Sequence, residues 1–314
     1  MRQTAGGTPR EVALLRLLFL TLFVGCGAHL SGDAASEASA EQNPYLRGTP
    51  LPLPDLASVV PVWPARAARP RRLLGPGPSR PLRVIIDPGH GAPGNVGNIS
   101  SFCRLEQDTM LELGLELGRH LARRGYEVRL TRTFAGELPR YQERVREGQA
   151  WGGEVLISLH SDIRGWPLGW RPREAGGERC LFRDLAPGFA LLYADNGPAD
   201  RLSRREQLAR LLSARLADAG FHPYDGWDYE GLYEADETVR GTFIDRHLPG
   251  SRIYMLRHPP MASVIIETFN ARNRLESERF QEGATREAFH AAVAAALADY
   301  AAIDWPRPRR PRSI

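Results

Sequence analysis

Two spacings of apolar residues alternate along most of the chain. Between residues 83 and 304, short apolar runs rich in Val and Ile are separated by longer stretches in which apolar residues recur every three or four positions. The short runs predict strands at 83–87, 126–131, 155–160, 253–256 and 263–267, with a less regular one near 180–182. Several are apolar nearly throughout, as parallel strands buried on both faces tend to be. The longer stretches predict helices at 106–124, 139–150, 204–219 and 277–302. Met110, Leu113, Leu117 and Leu121 share one face of the first, Ser203 caps the third, and Phe289, Val293, Ala296 and Tyr300 line the last. Gly114 and Gly118 lie beside the Met110–Leu121 stripe and predict close approach of that helix to the sheet. Residues 221–250 show no period. The alternation predicts an α/β fold in one domain: a mostly parallel or mixed twisted sheet covered by helices on both faces.

The ends of the chain differ from this body. Arg2, Arg10 and Arg16 precede or border LLFLTLFVG, an apolar run too short to span a bilayer, and together they read as an export signal over residues 1–26. The run ends Phe23-Val24-Gly25-Cys26, which resembles a bacterial lipobox and predicts a lipid on Cys26. Cleavage after Ala38-Ser39-Ala40 is the alternative, and it too yields an exported protein. Gly27 in place of aspartate after the cysteine predicts retention at the outer membrane, so the expected location is periplasmic and lipid-anchored. Residues 27–80 are first small and polar and then punctuated by proline, as in an extended linker. Residues 305–314 form a basic tail in which prolines forbid regular structure.

Composition narrows the function classes. Of 314 residues, 42% are hydrophobic and 25% charged, enough to bury a sizeable core, and the formal net charge is only +4. Lysine is absent, so every basic side chain apart from histidine is an arginine. A slight charge spread along the chain gives no footprint for nucleic acid.

Chemistry-bearing residues gather where the predicted strands end. In parallel α/β sheets ligands bind at the carboxyl ends of the strands, where loops vary over a rigid frame. His90 follows the strand RVIID, His160 ends VLISLH, Glu267 ends SVIIE, and Glu106 opens the long helix, where the helix dipole favours an ionised carboxylate. Two imidazoles and a carboxylate are a ligand set of catalytic zinc, and the remaining glutamate would be a base. Each histidine alone reads more readily as a hydrogen-bonded structural residue than as a ligand, and the local His-Glu-x-x-His pattern is absent; what favours a ligand set is that separate strands end in compatible groups at one edge. Asp87 and Asp162 would either orient an imidazole or serve as turn residues. His29, His120, His222, His247, His258 and His290 are read as structural, and the acidic run at 228–237 as a solvated face.

Across about 83–280 the chain resembles the zinc-dependent N-acetylmuramoyl-L-alanine amidases, cell-wall hydrolases with a phosphorylase/hydrolase-like fold. Asp87-Pro88-Gly89-His90-Gly91 stands where the family has its first metal histidine. Glu106-Gln107-Asp108 is similar to the segment carrying the metal glutamate, and Ile157-Ser158-Leu159-His160-Ser161-Asp162 to that of the second metal histidine. Arg124 to Arg132 resembles the family's second strand. Met261 to Glu267 resembles the stretch leading to the catalytic glutamate, with Asn273 and Glu276 at the family's distances after it. Phe269-Asn270 replaces the family's Gly-Phe, Arg144-Val145 begins a departure in the preceding helix, and 165–252 is longer than usual.

The resemblance implies that zinc is held by His90, Glu106 and His160, that Glu267 is the catalytic base, and that 81–304 is the catalytic domain. The implied reaction is hydrolysis of the amide joining N-acetylmuramic acid to L-alanine in peptidoglycan. It also implies a protein activator that displaces a cover from the metal, for which the inserted region is the candidate. Competing readings are an envelope zinc peptidase cutting within the stem peptide, and a non-catalytic peptidoglycan-binding lipoprotein.

With Cys26 lipidated, Cys103 and Cys180 remain as a pair in an oxidising compartment and predict a disulfide; the alternative is a free Cys103 beside the metal or ligating it. A labelled fatty acid supplied to cells is expected to mark the wild-type protein and to leave Cys26→Ser unmarked. Equal labelling of the two would remove the anchor.

Overall fold

The computed structural model of the protein describes residues 70–305 except 74, 76, 166–168 and 173–178, with backbone alone at 169–172 and 179. The predicted export signal, Cys26, the linker up to residue 69 and residues 306–314 lie outside the described residues. No helix among the described residues is long and apolar enough to cross a membrane.

Nine strands alternate with six helices among the described residues. Strands β1 (Arg83–Pro88), β2 (Glu127–Leu130), β3 (Val155–Asp162), β6 (Ala190–Tyr193), β7 (Tyr233–Ala235), β8 (Thr242–Asp245) and β9 (Ala262–Asn270) form one mixed sheet in the order β2-β1-β3-β9-β6-β8-β7. A separate hairpin pairs β4 (Gly169–Pro172) with β5 (Arg179–Phe182). The four strands β2, β1, β3 and β9 run parallel, β6 and β8 run against them, and β7 reverses again. The helices are α1 (Glu106–Ala122), α2 (Tyr141–Trp151), α3 (Ala199–Asp218), α4 (Tyr254–Arg257), α5 (Arg274–Arg279) and α6 (Gly283–Ala302).

Alternation along each strand divides the core. Val84 and Ile86 of β1, Val155, Ile157 and Leu159 of β3 and Val264 and Ile266 of β9 pack with α1, α3 and α6 in the main core. Ile85, Leu156 and Ile265 point the other way, toward α2, α4 and the residues around Tyr224, Tyr229 and Phe243. Met110, Leu117 and Leu121 are fully buried and Leu113 nearly so, as the helical spacing requires. The close approach of α1 is real: a Cβ on Gly114 would come within 2.9 Å of Pro88. Helix α2 begins with the Glu143 carboxylate accepting the Arg140 N–H at 2.8 Å and ends at Gly152 in the left-handed region.

Four expectations are corrected. Residues 253–256 are not a strand: Tyr254–Arg257 is one helical turn, since a short apolar run with no period supports either conformation. Helix α3 starts at Ala199 after Pro198, not at 204 with Ser203 as its cap. The stretch 277–302 is two helices; Asn273 Oδ1 caps α5 by accepting from Glu276 N, and the chain breaks at Phe280, which stacks on Phe269 at 4.5 Å. Strand β9 continues past Glu267 to Asn270, and β6, β7 and β8 arise inside the stretch that showed no helical or strand period or went unmatched.

The last residues of the predicted linker already lie against the domain. Arg71 N bonds Ala219 O at 2.7 Å, Arg72 pairs with Glu287, Leu73 packs on the main core and Ser79 Oγ reaches Ala301 O.

Cys103 and Cys180 form a disulfide with Cα atoms 5.4 Å apart, tying the loop before α1 to β5 across 77 positions of sequence. Closing so long a loop stabilises mainly by restricting the unfolded chain. The double variant Cys103→Ser/Cys180→Ser is expected to lose about 2–4 kcal/mol of unfolding free energy in urea titrations. An unchanged midpoint would show that the crosslink carries no stability.

Candidate metal centre and catalytic carboxylate

The turn leaving β1 sets the geometry of the site. Asp87 is buried and receives Thr131 Oγ1 at 2.6 Å, Ser158 Oγ at 2.6 Å and Arg144 Nη1 at 2.9 Å. Two buried guanidinium groups, those of Arg144 and Arg132, hold the backbone that follows. Arg144 also donates to Pro88 O at 3.2 Å and to His90 O at 2.6 Å, while Arg132 donates to Pro88 O at 3.1 Å, Gly89 O at 3.0 Å and Gln107 O at 2.6 Å. Three successive carbonyls are thereby fixed, and His90 is held at φ 59°, a left-handed conformation that a non-glycine residue adopts only when its surroundings impose it. Burial and the neighbouring Arg144 charge both lower the pKa of Arg132.

Held this way, His90 turns Nε2 toward Glu106 and His160. Its Nδ1 faces Asn95 Oδ1 at 2.7 Å, which puts the ring proton on Nδ1 and the lone pair on Nε2. Asn95 is itself oriented by donating to Tyr141 Oη at 2.8 Å. Gly97 follows at φ 77°, where a Cβ would come within 2.7 Å of both Glu106 Cβ and the His90 ring, so only glycine fits between these side chains.

Glu106, first residue of α1, is 3% exposed. Burial works against its charge, yet the His160 and His90 contacts hold its pKa well below the usual carboxylate range. Asn98 N at 3.0 Å, Asn98 Nδ2 at 2.7 Å and Ser161 N at 2.9 Å also donate to it. His90 Nε2, His160 Nδ1 and the Glu106 oxygens converge, at 3.1 Å between the imidazoles and 3.0 and 3.1 Å from each to the carboxylate. Three donor atoms about 2.0–2.1 Å from a common centre at tetrahedral angles would lie about 3.3 Å apart. Lone pairs aimed at one another need a positive charge between them, so this donor set fits a zinc-sized cation. The three residues singled out in the sequence are thus brought together.

The fourth is beside them. Glu267 of β9 is the register partner of His160, so their side chains leave the same face of the sheet side by side. Its Oε2 is sealed from solvent with no hydrogen-bond partner among the described residues. Burial pushes its pKa well up, the carboxylates of Asp162 and Glu106 push it further, and the Arg164 cation opposes them. Arg164 is itself buried, donating to Asp162 Oδ2 at 2.8 Å with its guanidinium 3.7 Å from the Tyr224 ring centroid. Tyr229 also donates to Asp162.

The other candidates fall outside the cluster. Neither Asp87 nor Asp162 touches an imidazole; Asp87 serves the turn and Asp162 the Arg164–Tyr229 wall. Asn273 caps α5, and Glu276 accepts from Asn270 N at 2.9 Å and Gly188 N at 2.8 Å, its pKa raised by burial to about 7. In the acidic run, Asp228 accepts from Gly165 N and Tyr224 Oη, and Asp236 is buried against Arg210 and Tyr193, so these two are wall residues and not a solvated face.

A family model described as N-acetylmuramoyl-L-alanine amidase matches residues 84–299. The N-acetylmuramoyl-L-alanine amidase AmiA of Escherichia coli is 25% identical over 234 residues, covering 69% of this chain and 75% of that protein. AmiA of Salmonella typhimurium matches to the same extent. Among solved structures, the amidase Ami1 of Mycobacterium smegmatis superposes with a TM-score of 0.54 at 19% identity, over 72% of this chain and 99% of that one. The apo form of Ami1 from Mycobacterium abscessus gives 0.53 at 18% identity, over 70% and 98%. At these identities the two structures speak for the fold.

Sequence reasoning overlooked Asn95, Asn98, Arg132 and Arg144 as supports of His90, Glu106 and the turn that carries His90. Asn95 and Asn98 sit in a glycine-rich loop that reads as a turn, and a guanidinium buried at a distance leaves no mark in local pattern. Arg144 and Asp87 form an ion pair whose side chains are 0% and 1% exposed. Removing one partner strands the other, so Arg144→Ala is expected to cost about 3–5 kcal/mol in chemical denaturation. A loss under about 1 kcal/mol, the range of surface pairs, would show the clamp to be dispensable.

Proposed function

The chain belongs to the N-acetylmuramoyl-L-alanine amidase family and hydrolyses the amide bond between N-acetylmuramic acid and L-alanine in peptidoglycan, and from that premise we propose that it does so as a zinc enzyme of the cell envelope. The observation that carries the proposal is the convergence of His90, Glu106 and His160 with Glu267 on the neighbouring strand. His90, Glu106 and His160 would hold the ion. Zinc supplies Lewis acidity, which acidifies water and polarises a carbonyl oxygen.

The remaining chemistry belongs to Glu267. Its carboxylate takes the proton of the attacking water and returns it to the departing amine of L-alanine, with no covalent intermediate. Burial, Asp162 and Glu106 raise its proton affinity, which suits a group that must take up a proton and then give it back. Arg164 keeps that increase in check. The export signal and Gly25-Cys26 support an exported protein, periplasmic and anchored by lipid at the outer membrane. A protein activator acting on the inserted 165–252 region belongs to the same reading.

Glu267→Gln is expected to retain zinc and to lose hydrolysis of purified sacculi, whereas His90→Ala and His160→Ala lose both. Zinc content by metal analysis and products by mass spectrometry separate the roles. Release of glycan strands free of peptide is the expected wild-type product; shortened stem peptides still attached to glycan would replace the amidase reading with a peptidase, and zinc loss from Glu267→Gln would make that residue a ligand.

A further inference from the structure

Trp227 has no role in the centre described above and stands 56% exposed, against the usual tendency of an indole toward burial. Its surroundings are built. Asp225 Oδ1 accepts the Trp227 N–H, and a Cβ on Gly226, at φ 79°, would collide with the Phe243 ring. Asp228 accepts Gly165 N at 3.0 Å, and Tyr229 donates to Asp162. The turn is thus bolted to the exit of β3, the strand that carries His160.

The indole rests on Arg183, whose guanidinium carbon lies 5.8 Å from the ring centroid. Arg183 packs over Gly165, five residues after His160, and its N–H bonds the carbonyl of Arg272, five residues after Glu267. The support of the indole is therefore wedged between the loops that leave β3 and β9, the two strands bearing a metal ligand and the catalytic carboxylate. Ile163, 41% exposed, leaves β3 at the same rim.

From these placements we propose that Trp227 is a stacking platform for a sugar ring of the glycan strand, and so a specificity-determining residue at the mouth of the amidase site. The inference rests on the amide-hydrolysis reading for the identity of the polymer. A flat, rigidly held aromatic surface complements the C–H face of a pyranose, and aromatic side chains recur as anchors wherever binding must fix one orientation. The support cation, Arg183, lies against the indole, and the exposed charges next to Trp227 in sequence are acidic. Asp225 and Glu230, both exposed, lie two residues before and three residues after Trp227, and their carboxylates would accept hydrogen bonds from sugar hydroxyls and repel the carboxylates of a stem peptide.

The test compares wild type, Trp227→Ala and Trp227→Phe in steady-state hydrolysis of purified sacculi, together with calorimetric binding of peptide-free glycan strands and of free stem peptide to full-length Glu267→Gln with and without Trp227→Ala. Loss of one aromatic anchor is expected to raise KM roughly tenfold with kcat within about twofold, and Trp227→Phe to recover most of the difference. Glycan binding is expected to fall by the same factor and stem-peptide binding to stay unchanged. An unaltered KM, a change confined to kcat, or loss of stem-peptide binding in place of glycan binding would overturn the platform. If the wild type fails to cleave sacculi, the amidase reading fails, and the glycan titration still reports on Trp227 by itself.

Discussion

Two buried guanidinium groups gripping three consecutive carbonyls are the constraint on which the site depends. Arg132 and Arg144 hold the oxygens of Pro88, Gly89 and His90, and Asp87 compensates the charge of Arg144 from one residue upstream. A left-handed histidine at the end of a strand is a high-energy arrangement, and only interactions made elsewhere keep it populated. Because the grip is on backbone, it aims the ring without touching the imidazole. Asn95 then completes the aim by fixing which nitrogen carries the proton.

The same site shows how environment assigns different chemistry to one residue type. Glu106 is ringed by N–H donors and imidazoles and its pKa is lowered, as the proposed ligand role requires. Glu267 has one oxygen without a partner, sits among carboxylates, and its pKa is raised. Two glutamates of one site are thus driven in opposite directions, as the proposed division between metal binding and proton transfer requires.

Much of this was legible in the chain because parallel strands announce themselves. The central strands RVIID, VLISLH and SVIIE are apolar runs bounded by turn residues, and each delivers its polar residue at the same edge. Helix α1 was legible through an uninterrupted stripe. The reversed half of the sheet was not: β6 and β8 are four residues each and β7 three, too short for period to separate strand from loop. The supporting shell was hidden for a different reason, since Arg132, Arg144 and Arg164 look like surface residues until tertiary packing buries them.

Sheet order has a consequence for how the enzyme assembles. Strand β9 lies between β3 and β6, yet it follows both in the chain, and its pairing of Ala262 with Val155 closes a long loop before any reward is gained. All three proposed ligands are synthesised before residue 161, whereas Glu267, the proposed base, emerges more than a hundred residues later. A chain delivered from its N-terminus therefore has the proposed metal donors in hand well before the proposed base, and on that reading competence for hydrolysis arrives as a single late event, the insertion of one strand into a gap in the sheet.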